Sequence, residues 1–436
     1  MTWATRFRIR QNVVGSLWLV PLLGVVLGVL LGFVDVRVER SIDLPSNWTY
    51  SPSTATTVLS AIVGAMAALT GFVVTVTVLV VQMAIGTFSA RFMRLWYRDP
   101  VLKAVLAVLI GTLAFAFSLL RRVESNFVPN LGVSIAGGLV LISLLLFVVF
   151  LDGYLHKLRP VAVATLGTGY VRREFKRLVA ALDAPDVFAG PSGLRRDDHP
   201  TLVVHSTAPG AIQAIDLKGL IAWARGHDCL LVLQHRIGDF VPTGATLINV
   251  YGGQPGTARD EQKLQGMVAL GNERTVEQDP AFAMRVIVDV AAKALSAAIN
   301  DPTTAVQVLN QLSEVLRIIG TTDLKRDRLP AADGRPHGLV IPTRSWDEFL
   351  ALGVTEIREY GSTSIQVVRR MRAMLEQLQR EVPPENRRAV AEELARLDAT
   401  VASAFGESVD LDRAGIADEE GMGGRVEVAS QAVGVG

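Results

Sequence analysis

The longest stretch of the chain without a charged side chain runs from residue 44 to residue 90, where Asp, Glu, Lys and Arg are all absent. A helix needs about 20 consecutive apolar residues to cross the hydrocarbon core of a bilayer, and this stretch exceeds that length. Three further apolar segments also satisfy the requirement. We predict four transmembrane helices, at about 13–34, 57–86, 101–120 and 131–151.

The composition changes after the fourth segment. Hydrophobic residues make up 50% of the 436 residues and charged residues 19%, but the chain beyond residue 155 has an ordinary charged composition. We therefore predict an α-helical membrane protein (four transmembrane helices) with a C-terminal cytosolic α+β domain. The expected boundaries are 1–155 for the transmembrane domain, 156–200 for a linker helix and loop, 201–405 for the cytosolic domain and 406–436 for a disordered tail.

The orientation follows from the basic residues near the segment ends. Such residues are retained on the cytoplasmic side, so we expect both termini in the cytoplasm and the protein in the cell (inner or plasma) membrane. The first segment is too long for the apolar region of a signal peptide and is interpreted as a retained helix. The basic side carries Arg6, Arg8, Arg10, Arg91, Arg94, Arg98, Lys157, Arg159, Arg172 and Arg173, and the other side carries Arg37, Arg40, Arg121 and Arg122.

The connection between the second and third segments contains Arg91, Arg94 and Arg98 at helical spacing. Side chains placed there would lie at the level of anionic lipid headgroups. The favoured interpretation is a basic membrane anchor, and the alternative is a basic vestibule that attracts anions.

The second segment carries a stripe of small and polar residues when it is projected on a helix at about 100° per residue. Small residues let helix backbones approach closely, and Thr and Gln can hydrogen-bond across such a contact. One interpretation is therefore helix packing. The other is a neutral, wettable pore lined by the stripe in a homo-oligomer, and a ring of these helices around an axis satisfies both. The stripe comprises Ser60, Gly64, Ala67, Ala68, Gly71, Thr75, Gln82, Gly86 and Ser89.

We expect no acidic or basic residue at membrane depth in any of the four segments, because Asp99 and Asp152 fall at the interface. Ion-coupled pumps generally need an intramembrane ionisable group as a relay. The pattern disfavours proton-coupled transport and leaves a passive channel possible.

The predicted cytosolic domain begins after a break rich in Pro, Gly and Asp at 184–200. TLVVHS, CLLVLQHR and ATLINVY predict strands, and LKGLIAWARGHD predicts a helix. Gly238, Asp239 and Gly244 resemble one half of the barrel-sandwich fold of biotinyl and lipoyl carriers, but no Met-Lys acceptor accompanies them. We interpret them as a local turn with glycines at positive φ.

Asp-Pro occurs three times before apolar helical runs, at Asp99-Pro100, Asp279-Pro280 and Asp301-Pro302. Asp is a favoured helix N-cap, and Pro suits the first helical position because its missing N–H costs nothing there. LSAAINDPTTAVQVLNQL is therefore interpreted chiefly as a junction between two helices. We expect Arg285, Asp289 and Lys293 to form a solvated ion-pair stripe on the first of them.

Three stretches resemble a bacterial predicted-membrane-protein family known only as a domain of unknown function. They are QMAIGTFSARFMRLWYRD, RIGDFVPTGATLINV and EQDPAFAMRVIVDVAAKALSAAINDPTTAVQVL. The resemblance implies four membrane segments followed by one cytosolic domain and brings no established chemistry. The polar residues Asn300, Asp301, Thr303 and Thr304 exceed what a cap requires, so a bound ion or anion or a contact between subunits is the alternative interpretation there.

Other function classes find little support. The net charge of +1 gives no electrostatic basis for nucleic-acid binding, and the single Cys229 excludes an internal disulfide. The six histidines show no metal-ligand spacing, and no nucleotide-binding or nucleophile motif is present. We expect no enzymatic activity, no metal and no cofactor. Expected partners are the lipid bilayer, further copies of the chain and small ions.

Two hypotheses remain from the sequence. The first is a homo-oligomeric passive ion channel with a cytosolic regulatory domain. The second is a non-conducting membrane-anchored sensor or scaffold whose cytosolic domain binds a ligand or protein.

Overall fold

The computed structural model describes residues 1–39, 41, 49–87, 99–157, 159–189, 199–253, 257–323, 337–406 and 409–424. The chain divides into two compact units. Residues 10–159 form the membrane unit, and residues 160–436 together with residues 1–9 form the C-terminal unit.

The membrane unit contains the four predicted spans. Its helices follow α1, Trp3–Gly15, and are α2 (Leu19–Glu39), α3 (Pro52–Thr87), α4 (Pro100–Leu120) and α5 (Asn130–Lys157). All four are long and apolar enough to cross a membrane. Together with the mixed helices and sheets of the C-terminal unit they confirm the predicted fold class.

The first span differs from the prediction. A break at residues 16–18 separates the polar α1 from α2, so the span starts at Leu19 rather than at 13 and continues to Glu39. The first span consequently includes Asp35 and Glu39, and the third span includes Lys103, as its predicted bounds already did; each of the three lies within four residues of a helix end. Because these residues lie near helix ends, the expectation that no charged residue lies at membrane depth stays a prediction.

Helix α4 forms the centre of the membrane unit, and half of its span is buried. Helix α2 packs on it through glycines at every fourth position, since a Cβ on Gly24 or Gly28 would strike the carbonyl oxygen of Ala107 or Gly111. Gly32 meets the Ser118 side chain further along, so the two helices run in the same direction. In a bilayer, where neighbouring lipid is as apolar as the helices, this close backbone approach is what holds helices together.

The carboxylates near the end of α2 lie inside the unit. Glu39 accepts hydrogen bonds from the backbone N–H groups of Asn130, at 2.6 Å, and Leu131, at 3.3 Å. It thereby satisfies free donors at the positive end of α5. Asp35 is 6% exposed, and among the described residues neither of its carboxylate oxygens has a hydrogen-bond partner.

The C-terminal unit begins with α6, Pro160–Leu182. The predicted linker helix is thus formed, but it belongs to this unit, which starts at residue 160 and not at 201. Its amphipathic sequence explains the difference, because Val163, Val171 and Phe175 are buried against the helices that follow.

Two small sheets come next in the unit. The five-stranded sheet has the order β1-β8-β4-β6-β2, parallel between β1, β8 and β4 and antiparallel elsewhere. The antiparallel three-stranded sheet has the order β5-β3-β7. The strands are β1 (Val187–Ala189), β2 (Leu202–His205), β3 (Gly210–Ile215), β4 (Cys229–Leu233), β5 (Phe240–Val241), β6 (Thr246–Gly252), β7 (Val268–Gly271) and β8 (Gly338–Ile341).

A helical layer completes the unit. Its central helix, α9, is buried along most of its length and packs on α6 and α11. The helices are α7 (Leu217–His227), α8 (Ala258–Gln265), α9 (Pro280–Ala294), α10 (Pro302–Gly320), α11 (Trp346–Gly361), α12 (Ile365–Glu381), α13 (Pro384–Phe405) and α14 (Val409–Ala414).

The ion pairs of α9 differ from the expected solvated stripe. Arg285 pairs with Asp289 at 2.7 Å, but it also holds Glu356 on α11. The side chains of Arg285 and Asp289 are only 30% and 10% exposed. The sequence spacing predicted the ion pair between Arg285 and Asp289 within one helix. The packing of α11 against α9 adds Glu356, so Arg285 also connects the two helices.

The region expected to be a disordered tail is partly structured, since residues 409–424 lie against α12. Arg369, 1% exposed, donates to the carbonyl oxygens of Ile416, at 3.0 Å, and Gly424, at 2.6 Å. Asp418 accepts from the backbone N–H groups of Gly421 and Gly423 at 2.9 and 2.8 Å. After the short helix α14, these polar bonds attach residues 416–424 to α12, and such bonds leave no apolar periodicity in the sequence.

The glycine packing of α2 leads to a first prediction. Gly28→Leu should lower the free energy of unfolding of the detergent-solubilised protein by about 1–3 kcal/mol, the usual cost of overpacking, because the new side chain meets the α4 backbone. The melting temperature should fall accordingly. Gly138→Leu is the control, since a Cβ there meets nothing within 4 Å. Equal melting temperatures for the two variants would contradict the packing described.

Candidate functional sites

The small-residue stripe of α3 lies on the exposed side of that helix. Gly64, Ala68, Gly71, Thr75 and Gln82 are all exposed. A Cβ added at Gly64 or Gly71 meets no atom within 4 Å. No described residue of the same chain therefore packs closely on these glycines.

The opposite face of α3 supplies its contacts with α4 and α5. Leu59, Met66 and Val73 are buried there at 0%, 1% and 0% exposure, and Phe72 at the side meets Phe147 of α5 edge to face. Helix α3 thus has two faces with separate compositions. The bulky face packs within the chain, and the face of small and polar residues is left uncovered.

The Asp-Pro motifs begin helices, as predicted. The side chains of Asp99, Asp279 and Asp301 each accept a backbone N–H in the first turn of α4, α9 and α10. Asp301 accepts both the N–H and the hydroxyl of Thr304, at 3.0 and 2.5 Å. The Asp301 carboxylate, which would have to bind a cation at this position, is therefore already hydrogen-bonded within the helix junction.

The other residues of the α9–α10 junction differ in exposure. Asn300 takes a left-handed backbone conformation, with φ of 50°, as Asn can at the end of a helix. Its side chain and that of Thr303 are exposed, whereas Thr304 is 7% exposed. The structure brings the four candidate residues together at one helix start, with the Asn300 and Thr303 side chains on the surface.

The basic candidates Arg91, Arg94 and Arg98 lie outside the described residues. The anchor and vestibule interpretations both remain predictions.

A cleft in the C-terminal unit joins two of the motifs that the sequence brought out. The turn at Arg236 to Asp239 meets the start of α9 at Gln278 to Ala281. Gly238 has φ of 94°, and any Cβ there would strike the Arg274 guanidinium and the Asp279 carboxylate. The turn glycine is therefore needed both for its conformation and for close contact.

Two arginine–carboxylate pairs each have one member in the lining of this cleft. Arg274 pairs with the buried Asp279 at 2.7 Å, and Arg236 pairs with Glu348 at 2.6 Å. Burial tends to raise the pKa of the Glu348 carboxyl. Hydrogen bonds from Arg236 and the Ser345 N–H, together with the charges of Arg236 and Arg344, outweigh burial and hold that pKa below its usual value.

The cleft is also bonded to α6. The backbone N–H of Gln278, a residue with φ of 55°, donates to the Glu174 carboxylate at 3.1 Å. Glu174 is 0% exposed and also pairs with Arg173 and Arg177, both at 2.9 Å. The start of α9 is thus hydrogen-bonded to the middle of α6, within the C-terminal unit.

Sequence reasoning did not find this cleft, because its residues come from positions 178 to 349. The signal that was available is local. The turn at Gly238 and the cap at Asp279 both stand in the family-like stretches, but nothing in their spacing shows that they touch.

The capping geometry gives a second prediction. Asp301→Ala should lower the stability of the full-length protein by about 0.5–2 kcal/mol, as measured by thermal or denaturant unfolding in detergent. Asp301→Asn is the matched control and should cost less, because Asn also caps helices. An Asp301→Ala variant of unchanged stability that loses a measured function would instead make the junction a functional site.

Comparison with known proteins gives the affiliation of the chain. Residues 14–377 match the family model described as "Predicted membrane protein (DUF2254)". Uncharacterized proteins of Mycobacterium tuberculosis (strain CDC 1551 / Oshkosh) and Mycobacterium bovis are each 29% identical over 406 residues, covering 87% of this chain and 75% of theirs. No solved structure matches the chain. Because the family model covers most of its length, the protein belongs to this family of predicted membrane proteins.

Proposed function

We propose that the protein is a homo-oligomeric passive ion channel in which copies of α3 surround a central axis, with the C-terminal unit as a cytoplasmic regulatory domain. The observation that carries the proposal is the uncovered face of α3. It holds Gly64, Ala68, Gly71, Thr75 and Gln82, and it lies opposite the face that packs within the chain.

The proposed oligomer is supported by a comparison between the glycines of α3 and those of α2 in the same unit. The glycines of α2 are buried against the α4 backbone, as small residues usually are between membrane helices. The glycines of α3 have no such neighbour among the described residues. A second copy of the chain supplies a surface of the right kind.

The proposed pathway rests on the polar atoms of that face. Thr75 satisfies its hydroxyl proton on the Gly71 carbonyl at 2.9 Å, which leaves its oxygen lone pairs free for water or a cation. The Gln82 amide is exposed further along the helix. The five proposed pore-lining residues carry no charge, so ions would pass along a neutral, wettable path without a proton relay.

The orientation is the third part of the proposal, and cysteine labelling tests it. Cysteines placed one at a time at Ser46, Ser125, Ser192 and Ser403 should react with an impermeant thiol reagent in intact cells only at the first two positions. The native Cys229 gives little background, since it is 1% exposed and burial, aided by Asp228, raises the pKa of its thiol to about 11. Labelling of the cysteine at position 192 would show that the orientation is the reverse of the one proposed.

Flux measurements test the channel. Gly71→Leu and Thr75→Trp should abolish ion flux in liposomes while the oligomer persists, because bulky apolar side chains narrow and dewet a pore. Ala65→Leu is the control, since Ala65 is also exposed on α3 but lies off the stripe. Oligomeric state is measured beside flux for every variant.

Three results can be told apart. Loss of flux with an intact oligomer supports the channel, whereas loss of the oligomer assigns the stripe to helix packing. If the wild-type protein passes no ion in planar bilayers under voltage, pH change and tension, the non-conducting sensor or scaffold replaces the channel.

A further inference from the structure

We propose that the cleft between the Arg236 turn and the starts of α9 and α11 binds a small anion, through a phosphate or carboxylate group, with Arg344 as its principal ligand. This assignment goes beyond the proposed function and stands whether or not the membrane unit conducts.

The first support is the pairing of the arginines. Arg236 and Arg274 each hold a carboxylate. Arg344 also lines the cleft and acts electrostatically on Asp279 and Glu348. It makes no hydrogen bond or ion pair to the residues that the structure describes, so its guanidinium donors are available. A planar guanidinium matches the geometry of a phosphate or carboxylate, which it can bind through two parallel hydrogen bonds.

The second support is the shape and lining of the cleft. The cleft has a volume of about 50 Å³, which is several times the roughly 10–15 Å³ that one water molecule needs. The space therefore suits a group of a few heavy atoms, such as a phosphate or carboxylate. Leu178, Ile237, Ile341 and Phe349 form apolar walls, which lower the local dielectric and strengthen a charged contact.

The third support is the direction of two helices. The N-terminal residues of α9 line the cleft, and Arg344 directly precedes Ser345, the N-cap of α11. The positive ends of two helix dipoles therefore lie beside Arg344 and favour an anion. The two carboxylates on which Arg344 acts, Asp279 and Glu348, already have arginine partners and so oppose an anion less than free carboxylates would.

The consequence of binding would reach α6. Gln278 lines the cleft with its neighbours and donates its backbone N–H to Glu174. An anion that draws Arg344 inward can alter the start of α9 and with it this hydrogen bond. The site is thus placed to report a small anionic molecule to the helix that continues from the membrane unit.

Binding to the full-length detergent-solubilised protein tests the inference. Inorganic phosphate and acetate are titrated separately by calorimetry and by thermal shift, with ionic strength held constant by chloride. At least one anion should bind saturably, and the stronger of the two identifies the class. Arg344→Ala should weaken that binding about tenfold to a hundredfold, the range expected for hydrogen bonds to a charged group.

Two further variants make the result decisive. Arg388→Ala removes an arginine that is 89% exposed on α13 and should bind as the wild type does. Arg344→Lys keeps the charge but loses the planar fork, and it should bind with intermediate affinity; it replaces Arg344→Ala if that variant is unstable without anion. Absence of saturable binding by either anion, or equal binding by the wild type and the Arg344 variant, overturns the assignment.

Discussion

The backbone of a membrane helix satisfies its own hydrogen bonds, so what decides the arrangement of four such helices is how closely their backbones can approach. In this protein the closest approach is between α2 and α4, where Gly24 and Gly28 bring one backbone against the other. With α4 fixed at the centre, α3 and α5 pack on its other sides through bulky side chains. The face of α3 that bears glycine and threonine then has no helix of the same chain packed on it among the described residues.

Buried charge is handled differently at two places in the chain. In the C-terminal unit, Glu174 has two arginines and a backbone N–H around it, and Asp279 has Arg274 and the first turn of α9. Burial of a paired and hydrogen-bonded carboxylate is tolerable. Asp35 in the membrane unit is also buried but has no hydrogen-bond partner among the described residues. Glu39, one helical turn further along α2, instead accepts hydrogen bonds from the backbone at the start of α5.

The two proposed sites differ in kind. The α3 stripe is a long, neutral surface on one helix, and its role depends on a second copy of the chain. The arginine cleft is a small, charged site assembled from α6, a turn, α9 and α11 within one unit. Helix α6 connects them along the chain, since it follows α5 and holds the Gln278 backbone through Glu174.

The sequence by itself determined the features that depend on neighbouring residues. These are the four apolar spans, the linker helix after the fourth span, the Asp-Pro helix starts and the positive-φ glycines at 238 and 244, because length, capping and turn geometry act over a few residues. The glycines of α2 recur at every fourth position in the sequence, but only the structure shows that they pack on α4. Tertiary structure alone decided that Arg285 links two helices, that residues 409–424 attach to Arg369, and that Arg236, Asp279 and Arg344 share a cleft. Each of these depends on contacts between residues far apart in the chain, which local patterns do not encode.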